Sequence, residues 1–516
     1  MAVNPSIQLG TSGNWAIKED NLLAYKQLGN KFFDREFDFS RGTRATFVGR
    51  NGLIQESGLT SAELVNASTN NLSGWIDARS NANLSIVNNN IRATYVSGTT
   101  MGVSTAITTV VGKTYSVKVN GTRNNTNGTF YVRVADNSIL YDSFFELQNS
   151  NNSISADATF VATQTTHYVG ILATLQGTND YIQASLVSVK EIQTDVPRID
   201  FTDDPTGHLL LEPQSTNLFT YSNDFSQWGS LSGASVINNV LVSPDGTLNA
   251  DEFVFDGTSN GRIEKSVPTT NGLDYTFSIY LKNKDIANPT QVFIGTSGGG
   301  GEFVTITNGW QRFTTTQIAD DTSEYPRVRY NGVGSLYAYG AQFEQQSYAT
   351  SYIPTSGSAV TRNQEICNNS GTVNDFNSEE GVLYAEISAF ANDGTFRLLS
   401  LSDGTSSNRV YLGYSNNDNI ITANVTTGGV SQGAINYTTT NLSLFHKAAI
   451  KYKNNDVSLY VNGIEVGVDT SVTTPSSLNS LQFTSGSLAS KFYGKTKNVK
   501  VFKRALTDAE LQELTT

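Results

Sequence analysis

Cleavage of a glycosidic bond asks for two carboxyl groups held roughly 5 to 9.5 Å apart, and the chain offers Asp203 with Glu212 and Glu380 with Glu386 as candidate pairs. A strand lining a catalytic groove would repeat its acid at i+2 or i+4, because those positions share a face. LYAEIS carries Glu386 alone in that register. The acids therefore read as solvated surface groups, no catalytic residue is assigned, and the chain is expected not to be an enzyme; glycan hydrolysis stays as an alternative. His167, His208 and His446 stand in three separate stretches, and neither HExxH nor CxxC spacing occurs, which argues against a transition-metal site. GxSxG, a Walker loop and a dinucleotide fingerprint are missing as well. The run Gly298–Gly301, between apparent strands, reads as a turn. No resident cofactor is expected.

Binding a glycan without cleaving it asks for less: an aromatic ring against the apolar face of a sugar, and amide, carboxylate or guanidinium groups for its hydroxyls. Trp310 in NGWQRF, and Tyr411 and Tyr414 with Asn416 and Asp418 close behind, are the candidate glycan-binding residues. Trp310 has a competing reading, the entry of a strand packed on a core. The Asn416–Asp418 turn is also the candidate Ca²⁺ site, set against an ordinary turn whose Asn and Asp side chains bond their own backbone. Trp75 and Trp228 recur at the entry of a β-rich unit and read as core or edge packing.

These residues need sheets to hold them. At 516 residues the chain exceeds one hydrophobic core. Only 16% of it is charged, while 23 tyrosines and 26 phenylalanines supply large apolar groups for several cores. In TYSVKVNG, Tyr115, Val117 and Val119 face one side and Ser116, Lys118 and Asn120 the other, the period of a half-buried strand. The expected class is all-β, with three jelly-roll-like β-sandwich domains in tandem at 61–193, 194–366 and 367–516 behind an N-terminal segment, 1–60. GKTYSVKVNG follows Trp75 as GLDYTFSIYL follows Trp228, so the second sandwich repeats the plan of the first. A strap, SYIPTSGSAVTRNQE, leads to the third, where Asn462–Gly463 predicts a hairpin turn. Thr507 with Glu510 predicts one capped C-terminal helix.

Segment 1–60 is too short for its own core, yet it holds Trp15, Phe32, Phe33, Phe37 and Phe39. Burial of each is worth roughly 1.5 to 3 kcal/mol, so it is expected to pack on a partner subunit or larger assembly, with packing on its own chain as the alternative. The net charge of −12 opposes attraction to nucleic-acid phosphates and anionic membranes. No apolar run reaches the length of a membrane span, so no nucleic acid and no membrane insertion is expected. The opening AVNPSIQLG has neither the basic nor the apolar region of a secretory signal.

DFSRGTRATFVGRNGLIQE, Asp38 to Glu56, resembles a segment of tailed-bacteriophage structural proteins. VPRIDFTDDPTGHLLLEPQSTNLFTYSNDFSQW and the later LYAYGAQFEQQSYATSYIPTSGSAVTRNQE are similar to the carbohydrate-binding-like unit of those proteins, although here a whole sandwich separates the two matched regions. HKAAIKYKNNDVSLYVNGIEVG and VKVFKRALTDAELQEL resemble concanavalin A-like, laminin G-like sandwiches. The resemblance implies a virion surface component, a tail or head fibre, decoration or receptor-binding protein, assembled in the host bacterial cytoplasm. It further implies a homo-oligomer, often a trimer, attached to other virion proteins through its N-terminal segment and turned towards host or environmental glycans. A purely structural virion protein that binds no glycan is the alternative.

Overall fold

The computed structural model describes residues 4–10, 15–18, 21–28, 31–58, 63–65, 67–141, 143–174, 177–202, 204–284, 291–298 and 300–516; the side chains of 16–35, Phe144 and Ser230 are outside this description. The chain divides into two compact units, Gly58–Gln193 and the combination of Met1–Ser57 with Thr194–Thr516.

Gly58–Gln193 is a sandwich of two five-stranded antiparallel sheets. One runs in the order Ser153–Val161, Thr114–Arg123, Tyr181–Glu191, Asn90–Tyr95, Ala82–Val87; the other runs Ser143–Asn149, Phe130–Ala135, Thr166–Thr174, Thr100–Thr108, Trp75–Asp77. Alternation sends Tyr115, Val117 and Val119 inward against Val132, Val134 and Ile171. Within the larger unit a second sandwich has the same strand order. Its sheets run Gln311–Ile318, Asp274–Asn283, Val333–Glu344, Leu248–Asp256, Ala234–Val242, and Gly301–Thr305, Gln291–Gly295, Arg327–Arg329, Arg262–Glu264, Ser230–Ser232. Trp75 and Trp228 both join the cores, each donating its indole N–H to a backbone carbonyl, Ser68 in one case and Tyr221 in the other.

The third sandwich packs the sheet Gly494–Phe502, Glu380–Ser388, His446–Lys453, Val457–Val461, Ile464–Asp469 on the sheet Val430–Thr438, Ile420–Thr427, Arg409–Tyr414, Arg397–Ser402, Ser480–Gln482. Val461 pairs with Ile464 around Asn462 and Gly463, whose φ of 48° and 81° are those of the tight turn that suits strand twist. Helix Asp508–Thr515 starts at a Thr507/Glu510 capping box and buries Leu511 against Val382, Tyr384 and Tyr460 on the outer side of the first of these sheets.

In segment 1–60 the described strands Ile7–Leu9 and Asp38–Ser40 pack on their own chain, the alternative reading, because they supply an edge to each sheet of the third sandwich. Ile7–Leu9 pairs with Val499, Lys500 and Val501, and Asp38–Ser40 pairs with Ile366–Asn368, which continues the other sheet through a bridge from Ser370 to Leu481. Leu209, Leu210 and Leu211 add a further strand beside Gly494, Lys495 and Thr496. Ile7, Leu9, Phe37, Phe39, Ile199, Leu209 and Leu211 thereby lie in one core with Leu399, Leu412 and Val499. Phe37 and Phe39, two residues apart, share the inward face, and the Phe37 ring lies 5.7 Å from that of Phe483. Half-buried Trp15 packs on the same core and donates its indole N–H to the Thr206 carbonyl at 3.1 Å. Phe32 and Phe33 belong to the strand Lys31–Glu36, but their side chains lie outside the described residues. Residues 367–516 are consequently incomplete as a folding unit.

Phe37→Ala is expected to destabilise the Met1–Ser57/Thr194–Thr516 unit by about 3–5 kcal/mol, the cost of emptying a packed phenylalanine site. The check is the denaturant midpoint of that unit's transition; a change under about 0.5 kcal/mol would place Phe37 outside the core.

Candidate functional site

Glu212 follows the strand His208–Leu211, which runs it beneath the strap into a buried ion cluster. Arg198 Nη2 lies 2.8 Å from Glu212 and 2.5 Å from Glu365; Arg362 Nη1 is 2.8 Å from Glu212, and Arg41 Nη1 is 2.8 Å from Glu365. The backbone N–H and hydroxyl of Ser351 each donate to Glu212 at 2.7 Å, and the Glu212 N–H donates to Glu365 at 2.8 Å. Arg198 also donates to the Thr46 carbonyl at 2.7 Å. Burial alone would raise the Glu212 carboxyl, but Arg362 and Arg198 outweigh it and hold it at about 2. Glu365 is likewise held below the ordinary carboxylate range, burial being outweighed by Arg198 and Arg41. Burial lowers Arg41 to about 10 against the opposing pull of Glu365.

A buried carboxylate clamped by two arginines cannot donate a proton to a substrate, so Glu212 is structural. Its partner in the candidate pair, Asp203, lies outside the described residues. Glu380 and Glu386 sit six residues apart on one strand, about 20 Å at strand rise, well beyond the span of a glycosidase pair. Glu380 is 3.2 Å from Lys453 instead.

The aromatic candidates separate. Trp310 packs with Ile54, Ala250, Tyr339 and Tyr352 and donates its indole N–H to the Val242 carbonyl at 3.1 Å, so it is a packing residue. Tyr411 and Tyr414 are three apart on one strand, which sends them to opposite faces. Tyr414 is fully buried in the core, stacked with Phe492 at 6.1 Å. Tyr411 lies on the polar outer face, 9% exposed, accepting from Asn424 and flanked by Arg409. Neither is the exposed ring that a glycan platform needs. Asn416 and Asp418 are exposed in the turn that follows, where Ser415 Oγ accepts from the Asn417 N–H at 3.2 Å. Among the described residues no three His, Cys, Asp or Glu side chains converge there as metal ligands.

An open aromatic surface lies elsewhere, on the second sandwich. The outer face of its Val333–Glu344 sheet is covered by Ile54, from the hairpin Ala45–Val48/Ile54–Ser57, and by Tyr352 of the strap. Among the described residues, none outside the facing sheet packs over the Phe293–Phe303 side of its outer face. Ile263, Val328 and Ile294 point into the core, so their neighbours point out. In cross-strand register Arg262 faces Arg329, Arg329 faces Phe293, and Phe293 faces Phe303, a continuous row over four strands. The adjoining row is Glu264, Arg327, Gly295 and Gly301.

The two phenylalanine rings meet edge to face at 5.6 Å, the Arg329 guanidinium lies 4.5 Å from the centre of the Phe293 ring, and Phe303 is 65% exposed. Arg262 and Arg327 share Glu264 at 2.9 and 3.5 Å. Gln291 and Thr305 extend the face. Gly301, at φ 151°, is needed here: a Cβ would fall 2.5 Å from the Phe293 ring.

The first sandwich shows what closes such a face. There the chain after Phe130–Ala135 folds back, burying Leu140 against Ala78, Ala135 and Leu172 beside Tyr131 and Tyr168. Ser138 and Leu140 carbonyls accept from Ser104 and Arg133 at 2.7 and 3.1 Å. The equivalent connection in the second sandwich is the glycine run after Ser297, which has no side chain to lay over the sheet.

Residues 372–512 match the Concanavalin A-like lectin/glucanases superfamily. No curated protein matches the chain. Among solved structures, the CBM40 of Ruminococcus gnavus IT-sialidase bound to alpha2,3 sialyllactose is 18% identical, over 29% of this chain and 94% of that one, with a TM-score of 0.25. Domain 4 of the Geobacillus stearothermophilus extracellular arabinanase AbnA, in complex with arabinotriose, is 13% identical over 30% and 73%, TM-score 0.24. The CBM22-1–CBM22-2 tandem of Paenibacillus barcinonensis Xyn10C is 11% identical over 56% and 99%, TM-score 0.20. At such scores nothing about ligand or activity transfers from them.

Glu365→Gln leaves three buried arginines around one carboxylate and is expected to cost about 3–5 kcal/mol. In the unaltered protein both carboxyls titrate lower folded than unfolded, so their stabilisation is complete above about 4.5 and lost as pH falls below it, for Glu212 towards about 2. Urea unfolding of both proteins across that window checks this: the wild type should lose stability on acidification, and Glu365→Gln should lose less.

Proposed function

We propose that this protein is a non-enzymatic surface component of a bacteriophage particle, a fibre, decoration or receptor-binding protein, that binds glycans through its β-sandwiches. The observation that carries the glycan reading is the uncovered row Arg262–Arg329–Phe293–Phe303, where an exposed ring stands beside planar donors and an amide on a rigid sheet. A ring of this kind meets the apolar face of a pyranose, while guanidinium and amide N–H groups donate to its oxygens.

Three further facts support the proposal. The concanavalin A-like match at 372–512 belongs to a superfamily described by lectins and glucanases. The ion cluster removes Glu212 from catalysis, and Glu380 and Glu386 are too far apart for it. The stretches that resemble tailed-phage structural proteins, around Arg41, Arg198 with Glu212, and Ser351 with Arg362 and Glu365, all meet in that one cluster. With the front segment built into the fold, attachment to other virion proteins uses surfaces other than Phe37 and Phe39.

A glycan array probed with the full-length protein tests the binding. Wild type should bind a restricted set of glycans, and Phe303→Ala should lose them with a stability change under about 0.5 kcal/mol, as suits an exposed side chain. Binding that survives Phe303→Ala would contradict the assignment of this face. Immunogold labelling of intact particles tests the location, and unlabelled particles would contradict a virion role.

A further inference from the structure

We infer that the open face of the second sandwich selects acidic saccharides, taking the carboxylate of a uronic-type sugar on Arg329 while a neighbouring sugar ring lies on Phe303; the inference rests on reading this face as glycan-binding. Among the described residues, Arg262, Arg327 and Arg329 share the face with one carboxylate, Glu264, whose two oxygens are engaged by Arg262 and Arg327. Glu302, next to Phe303, is in register with inward-pointing Ile294 and so alternates away from this face. Two positive charges therefore remain in excess, three guanidinium groups against one carboxylate, on a chain whose net charge is −12. A cationic island on an acidic protein attracts an anion locally while the rest of the surface repels anions at large.

Arg329 is the residue placed to use that excess. Among the described residues it has no acidic partner, and its guanidinium is held against Phe293 by cation–π contact. Held there, it loses little further freedom when its fork meets the two oxygens of a carboxylate. The register then fixes what lies beside the anion. Phe293 is the adjacent strand's residue and Phe303 the next, so the Phe303 platform lies two strand spacings, about 10 Å, from the charge site at Arg329, the reach of neighbouring sugars in one chain. A carboxylate and an apolar ring face at that separation are what an oligouronate presents. A free inorganic anion would use only the arginine, and a neutral sugar only the ring.

The test uses the full-length protein with tetrasaccharides of galacturonic acid, hyaluronan and alginate, each beside its carboxyl-reduced counterpart, with a heparin tetrasaccharide for sulfate, by titration calorimetry. At least one uronate is expected to bind roughly tenfold or more tighter than its reduced form, the worth of one charge-assisted hydrogen-bonded contact. Arg329→Gln should abolish that preference, Arg329→Lys should keep part of it, and Phe303→Ala should weaken acidic and reduced forms alike. Equal binding of acidic and reduced forms, a preference that survives Arg329→Gln, or a preference for heparin over every uronate would overturn the inference. If reduced forms bind and depend on Phe303, glycan binding stands and the acidic selectivity alone falls. Absence of binding to all the tetrasaccharides overturns the selectivity, while glycan binding itself is decided by the array.

Discussion

Arg198, clasped between Glu212 and Glu365 with Arg41 and Arg362 on either side, is the interaction on which the larger unit depends. Such a cluster does little for net stability compared with an apolar core of the same volume, because each charge has been stripped of water. What it imposes is arrangement. Every partner must be present, since one missing carboxylate leaves a buried charge without compensation. Those partners come from the front segment, the run into the second sandwich and the strap, so a correct cluster requires three distant stretches to be in register together.

That requirement shapes the surface. Drawing Thr46 and Ser351 to Arg198 brings the front hairpin and the strap across one sheet of the second sandwich, where Ile54 and Tyr352 cover Tyr339. The opposite sheet receives no such cover among the described residues, and the glycine run beside it has no side chains with which to make one. In Gly58–Gln193 the same strand order ends in a closed face, because Leu140 is available to fill it. Two copies of one plan thus differ at that face through a single connection. The concanavalin A-like sandwich, in turn, is completed by Phe37, Phe39 and Leu209 from outside its own stretch of sequence.

The architecture was readable wherever alternation decided it: the three sandwiches, the repeated strand plan, the Asn462–Gly463 hairpin and the capped last helix. The front segment was harder. Period-2 spacing of Phe37 and Phe39 marks a face to be buried, but the partner, a core assembled from residues beyond 366, is a long-range fact that local pattern does not contain. Tyr411 and Tyr414 misled as a pair because their spacing of three, read on a strand, places them on opposite sides. The face that was missed had a usable signal. In QVFIG and PRVRY the aliphatic residues take the inward positions, leaving Phe293, Arg327 and Arg329 to face out, and an outward phenylalanine between two inward aliphatics costs exposure of apolar surface unless something covers it or binds it. The buried role of Glu212 had no local signal, since its arginines come from 14 and 150 residues away in the chain.

Native-state hydrogen exchange bears most directly on the claim that the front segment is an integral part of the fold tied in by the ion cluster. The amides of Ile7–Leu9 and Asp38–Ser40 that bond their partner strands should exchange with the same opening free energy as those of Glu380–Ser388, rising and falling together as denaturant is added. Front-segment amides that exchange by a separate low-energy opening, while Glu380–Ser388 stays protected, would mean that the segment is an arm resting on a finished domain, contrary to this account.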